Sequence, residues 1–456
     1  MPATDLIEPP NSGEPLPTAP PDPELLQRCV VNLGNNGRFS DEGSSHSSPQ
    51  QVDGLFRAMA DQHRAWRAED PDVPLRVLLY AHGGLNSEAQ GRKVAAANFA
   101  WWIAHRVYPV FFCWESGFGE TLKDIVGDEL HRVDGRAALT PAFTTGAFNL
   151  EDLLDLAVEA AARNDLGRAA WDEMKENALA ASRPVDDTSD VIWDNPTAQQ
   201  AQAMMLLPGA TLTALRLRQY IADAAEPVGV HLVGHSAGAI FHRGLLPRLG
   251  ELGVPVTSVQ FLAAALRDDE FVKHVLPLLG NRSGPGGLQL PLFASFGLSD
   301  QREKDDNCIS IYHKSLLYLI SRGLERGDSD VPLLGMARFL DTRMADFFTP
   351  APAGPKLQPT LRQGIEARGG NCVIAPALPP GFPAGACCNA TTHGGFASET
   401  HTMASVTHRI VTAPADPGAR TGSGRIRVRS RVLRRVRKGT RVSAGRAPNP
   451  GQGPVP

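Results

Sequence analysis

The chain has 456 residues, 42% of them hydrophobic, and a formal net charge of −4. That is enough apolar material for a sizeable core, in one large α/β unit or in two or three smaller domains. Six cysteines at irregular spacings exclude a disulfide scaffold. No run of about 18 uncharged apolar residues predicts a membrane-spanning helix, so a reduced, cytoplasmic setting is the expectation.

Residues 1–26 are Pro-rich and lack a basic-then-apolar signal pattern, so they read as a disordered leader before a domain spanning 27–412. "RCVVNLGNNGRF" predicts a short first strand ending in a turn at Asn35, Asn36 and Gly37. "SPQQVDGLFRAMADQHRAWRAED" has helical spacing, with Val52, Leu55, Met59 and Trp66 near one face. "LRVLLYAHGG" is a continuous apolar strand bounded by glycines, the pattern of a strand buried on both faces. A helix over "SEAQGRKVAAANFAWWIAHRV" and a second buried strand over "YPVFFCWES" follow. Strand and helix alternating at these lengths predict an α/β fold with a mostly parallel sheet.

Between 117 and 205 the alternation stops, and Ala-, Leu- and acid-rich segments predict a helical insertion, a cap above the sheet. A helix at 210–224 then leads into "VGVHLVGHS". "VPVTSVQFLAAAL", "LQLPLFASFGLSD" and "RGGNCVIAPAL" predict three more strands. Helices are expected at "YHKSLLYLISRGLE" and "SETHTMASVTHRIV".

The GHSAG stretch from Gly234 to Gly238 fits G-x-S-x-G between a strand and a helix. Such a turn strains the nucleophile's backbone and exposes its hydroxyl, while the flanking small residues let strand and helix approach. Ser236 is the candidate nucleophile. A serine is inert at its own pKa and needs a base, with an acid to orient that base. With this elbow the acid and then the base follow later in the chain. His393, in the glycine-containing loop "ATTHGGFASETHTM", is the candidate base. Asp300, at the end of a strand, is the candidate acid, with Asp268 or Asp269 as the alternative and Glu115 as a further one. Asp305 and Asp306 read as solvated charges or supporting partners of the site. The oxyanion needs backbone donors: Ala237 after the nucleophile, and Gly84 or Leu85 in the "HGG" loop. His82, Gly83, Leu85, His235 and Trp114 are expected around the substrate.

These residues together resemble the α/β-hydrolase superfamily: HGG after one strand, GHSAG after a later one, an Asp after a still later one and a His in the last loop. "HGGLNSE", "YPVFFCWES", "YHKSLLYLIS" and "THGGF" followed by "TM" are similar to a group of uncharacterised bacterial serine hydrolases, over about residues 75–412 apart from the insertion. The resemblance implies an α/β-hydrolase fold with Ser236, Asp300 and His393 as triad and Gly84 with Ala237 as oxyanion hole. It names no substrate. The group is expected to carry an acid soon after HGGF, whereas here Ala397 and Ser398 precede Glu399.

Cys372, Cys387, Cys388, His393 and His401 match no paired ligand spacing, so no metal is expected, and acyl transfer from serine needs no cofactor. Residues 413–456 read as a disordered basic tail. Eleven bases and no acid follow Asp416, so a tail of +11 against −4 for the whole leaves the body near −15. Bases alternating with apolar residues within 420–446 suit a weak anionic partner, with no aromatic side chain to stack on bases. The expected function is a serine hydrolase cleaving a carboxylic ester or thioester. The contrasting expectation is a non-catalytic binding or scaffold protein of the same fold with a basic interaction tail.

Overall fold

A computed structural model describes residues 22–40, 46–83, 88–114, 122, 150–188, 191–280, 287–308, 312–327, 330–352 and 354–414. Its centre is a sheet of seven strands: β1 (Val30–Leu33), β2 (Leu75–Ala81), β3 (Tyr108–Trp114), β4 (Val228–His235), β5 (Ser258–Leu262), β6 (Leu292–Leu298) and β7 (Asn371–Ala375). Their order is β1-β3-β2-β4-β5-β6-β7, and every neighbouring pair is parallel. Strands β3, β4 and β5 are buried along their whole length. Their continuous apolar runs follow from cover on both faces, as parallel sheets require.

Helices Pro49–Glu69, Gly209–Asp223 and Gly238–Glu251 pack on one another in series, and the last of them also packs on β2, β4 and β5. Helix Glu88–Ala104 packs on β1 and β3. It is tied to helix Thr400–Val411 by the Trp101 indole N–H donating to Thr407 Oγ1 at 3.0 Å. The connection from β2 leaves toward β3 on one side, whereas β4 lies on the other side of β2 and leads to β5. The chain therefore reverses its direction of travel between β2 and β4. A crevice opens outside the carboxyl ends of strands at such a switch point, where α/β sheets bind ligands.

Two expectations are corrected in detail. The leader does not run to residue 26: Pro23–Cys29 is helical, because Asp22 caps it by accepting from the Glu24 amide and Pro23 is preset for a first turn. Leu26 and Cys29 are buried in the core. The predicted helix at "YHKSLLYLISRGLE" shortens to Leu316–Leu319 and continues as a π-turn over Ile320–Leu324.

The insertion, where described, is helical at Leu150–Ala162, Asp165–Ala180 and Ala198–Met205. Asp165–Ala180 packs along Gly238–Glu251. Tyr312 Oη donates to Glu159 at 2.9 Å and the Trp171 indole N–H to Glu325 at 2.7 Å, docking the insertion on the 312–325 segment. The described residues belong to one unit by their internal contacts. Among them, no helix is long and apolar enough to cross a membrane. The basic tail, and the anionic partner expected for it, lie outside the described residues.

Candidate functional site

Ser236 follows the last residue of β4 and has φ +54°, a left-handed conformation that costs a non-glycine residue about 1–2 kcal/mol. Three backbone bonds hold it there. Its amide donates to the Leu262 carbonyl at 2.8 Å, and its carbonyl accepts from Ala265 at 3.0 Å and Ala239 at 3.1 Å. Ala263, just past β5, is also left-handed at φ +44°, its amide bound to the Phe296 carbonyl at 2.7 Å. Helix Gly238–Glu251 starts immediately beyond, with Ala237 at its N-cap, so the first amides of the helix lie next to the serine.

The glycines of GHSAG are needed for approach. A Cβ at Gly234 would stand 2.7 Å from the Gly238 carbonyl, and one at Gly238 would stand 2.1 Å from the Ala81 carbonyl oxygen. Backbone on both sides cannot give way. Gly238→Ala is therefore expected to destabilise by about 1–3 kcal/mol or more through overpacking. Urea unfolding of the variant beside the parent checks this, and an unchanged midpoint would contradict the packing.

The "HGG" segment after β2 reaches the serine from the neighbouring strand. A Cβ at Gly83 would lie 3.1 Å from Ser236 Cβ. His82 supports this segment from behind. Its Nδ1–H donates to the Gly83 carbonyl at 2.7 Å, and its Nε2 accepts the Trp114 amide at 3.2 Å. Its ring stacks on Trp114 with centroids 4.4 Å apart and 8° between planes. Burial lowers its pKa to about 4, which keeps the ring neutral and suited to this donor–acceptor pair. His82 and Trp114 are thus buried struts, correcting the expectation that they border the substrate. The expected oxyanion donors Gly84 and Leu85, and the alternative acid Glu115, lie outside the described residues.

His393 arrives from the loop after β7, which doubles back through paired Ala377 and Cys388. Its backbone is held at both ends: the amide donates to Asp306 Oδ2 at 2.7 Å, and the carbonyl accepts from His235 Nε2 at 2.8 Å. The ring is buried, and neither ring nitrogen has a hydrogen-bond partner. Burial, followed by the adjacent His235, lowers its pKa well below the ordinary 6.5. Asp306 is also buried, and its other oxygen accepts from the Asn307 amide at 2.8 Å. Burial pushes this carboxyl up, the two backbone N–H groups holding it down only in part. Ser236, His235, His393, Asp306, Gly83 and Leu316 share one pocket of about 310 Å³.

Asp300 does not join them, which corrects the expected acid. It accepts from Tyr318 Oη at 2.6 Å, pairs with Lys304 at 2.6 Å, is partly exposed, and borders a different cleft with Arg338 and Phe382. The local cause is a short helix, Asp300–Asp305, capped by Ser299. Asp300 occupies its first turn, and only the residue after its last turn, Asp306, comes back to His393. The run "SDQREKDD" offers the signal that sequence reasoning passed over: a cap followed by a six-residue helix.

The other candidate acids are engaged elsewhere or unpaired. Asp269 is held by both arms of Arg267 at 2.9 Å. Asp268 is fully buried with neither carboxyl oxygen bonded, and burial raises its pKa well above the ordinary range. Asp305 accepts from Gln301 at 2.8 Å. Glu399 caps helix Thr400–Val411 and pairs with His401 at 2.9 Å, giving the displaced acid after HGGF a structural task.

Among the described residues, no group of three or more His, Cys, Asp or Glu side chains is arranged to hold a metal ion. A larger cavity of about 550 Å³ lies between helices Asp165–Ala180 and Gly238–Glu251. Each base on its wall is paired with a carboxylate of the same wall, and it holds no nucleophile. Comparison with protein-family models, with curated proteins and with solved structures gives no match to this chain.

Proposed function

We propose that this protein is a serine hydrolase of the α/β-hydrolase type, which cleaves a carboxylic ester or thioester through an acyl-enzyme on Ser236. The observation that carries this reading is the shared pocket: a strained serine at the strand-to-helix turn, with His393 and Asp306, at the sheet's switch point. Nucleophile, acid and base follow in the chain order that such a site requires.

In the proposed cycle His393 takes the Ser236 proton while Oγ attacks the acyl carbonyl. Among the described residues no protein group bonds the ring nitrogens of His393, so either can take up Oγ without breaking a protein contact. Negative charge on the former carbonyl oxygen is met by the Ala237 amide at the helix start, with a second donor expected from the segment after Gly83. Asp306, whose carboxylate is bonded to the same residue's backbone, supports the imidazolium electrostatically. His393 returns the proton to the leaving group, and water then releases the acyl group by the same steps in reverse order. This cycle requires neither metal nor organic cofactor.

The base must be neutral to work. With its pKa lowered by burial, His393 stays neutral through mild acid and loses function only as pH falls through that depressed value. The expected kcat/KM profile stays flat down through the ordinary histidine range, with its acid limb below that range. An acid limb centred at the ordinary histidine value would contradict the buried, neutral ring.

Labelling the full chain with a fluorophosphonate tests the proposal as a whole. Stoichiometric labelling of the folded protein is expected. A folded protein that does not react would favour a non-catalytic binding protein of the same architecture.

A further inference from the structure

Resting on the hydrolase reading above, we infer that His235 is a positioning residue: its imidazole ties the base loop to the nucleophile turn and so sets where the His393 ring stands relative to Ser236. Among the described residues, no protein group bonds either nitrogen of the His393 ring. No side-chain bond aims that ring, so its place follows from where its backbone is held. On one side the loop is held by helix Asp300–Asp305 and the residue after it. Asp306 accepts the His393 amide at 2.7 Å, while Arg302 donates to the Ala390 carbonyl at 2.7 Å and to Asn389 Oδ1 at 3.0 Å. On the other side His235 Nε2 donates to the His393 carbonyl at 2.8 Å. His235 immediately precedes Ser236, so one side chain and one hydrogen bond span the distance from nucleophile to base.

His235 is a rigid mount for such a tie. It ends β4, and the serine after it is fixed by three backbone bonds. Its ring is buried, with its centroid 5.3 Å from that of His393 and 6.4 Å from that of Phe396. A Cβ at Gly83 would stand 3.4 Å from His235 Nδ1. The same imidazole therefore borders the base loop and the segment that leads to the expected second oxyanion donor.

The chemistry of the bond also fits. A carbonyl can only accept, so His235 carries its proton on Nε2. Burial lowers the His235 pKa and keeps the ring neutral. A charged ring beside His393 would oppose the imidazolium that forms during acyl transfer, whereas a neutral donor holds the backbone without that repulsion.

Three variants of the full chain test the role. His235→Gln keeps an N–H donor where Nε2 stood. His235→Asn carries the same amide only as far as Nδ1, and His235→Met fills similar space and donates nothing. For each, kcat and KM with p-nitrophenyl acetate and butyrate, the rate of fluorophosphonate labelling of Ser236 and the urea midpoint are measured. His235→Met and His235→Asn are expected to lower kcat and the labelling rate by about 10²-fold, the scale of misplacing a reacting group by about 1 Å, with KM within about twofold of the parent. His235→Gln is expected to recover kcat to within about fivefold of the parent. A packing role alone would make kcat follow the urea midpoint across the variants, with no advantage to glutamine over asparagine. That pattern, or parental kcat in a folded His235→Asn protein, would overturn the inference and leave the hydrolase reading standing. If His235→Met does not fold, the glutamine and asparagine pair still decides. Failure of Ser236 to label in the parent would overturn both the inference and the reading beneath it.

Discussion

Ser236→Ala is expected to abolish fluorophosphonate labelling and to lower ester hydrolysis by on the order of 10⁶, the effect of removing the nucleophile from a triad. Among the described residues the pocket offers no substitute. The Cys308 thiol lies in the same pocket, but burial, then the charge of Asp306, pushes its pKa up and keeps it protonated. Thr392 is exposed on the rim and does not sit at a strained strand-to-helix turn. The variant should remain folded, because alanine keeps the Cβ of serine in the same left-handed site and the three backbone bonds do not involve the hydroxyl. Labelling followed by mass spectrometry, with urea unfolding of the same preparation, measures both. Hydrolysis that survives in a folded Ser236→Ala protein would remove the serine from the mechanism.

The second large effect separates two aspartates six positions apart. Asp306→Asn is expected to lower kcat by about 10²–10³, the scale of losing one fixed electrostatic partner of the site, since Asp306 bonds the His393 backbone and not its ring. Asp300→Asn should stay within about threefold of the parent, because it loses only a surface ion pair with Lys304 and one bond to Tyr318. Asparagine at 306 can still accept the His393 amide through its oxygen, so the loop keeps its anchor while the charge is lost. That isolates electrostatic support of the imidazolium from placement of the loop. The reverse pattern, with Asp300→Asn inactive and Asp306→Asn active, would return the acid to the residue that strand position alone selects.

Much of this architecture is legible in the sequence, because strand and turn signals are local. The runs "LRVLLYA", "YPVFFCW" and "VGVHLVGH" are long and apolar, and they are central strands of the parallel sheet. The glycines of GHSAG announce a close strand-to-helix approach within five residues, and φ at Ser236 has the strained value this turn demands. His393 stands out through its glycine-containing loop between the last strand and the last helix.

The rest was decided by the tertiary structure. Asp306 meets a residue 87 positions later, so although "SDQREKDD" signals a cap and a short helix, only the folded chain shows that the residue just past that helix, and not Asp300 in its first turn, reaches His393. His82 and Trp114 look like pocket residues from their place at strand ends, yet their rings stack under Gly83 and face inward. The insertion's helices are plain from composition, but their place beside Gly238–Glu251 depends on Glu159 and Glu325 finding partners more than 150 residues away. Periodicity and turn chemistry act over a few residues and so determine which elements form and where the strained turn lies. Which side chains meet at the sheet's edge depends on how separate elements pack, and that requires the whole chain folded.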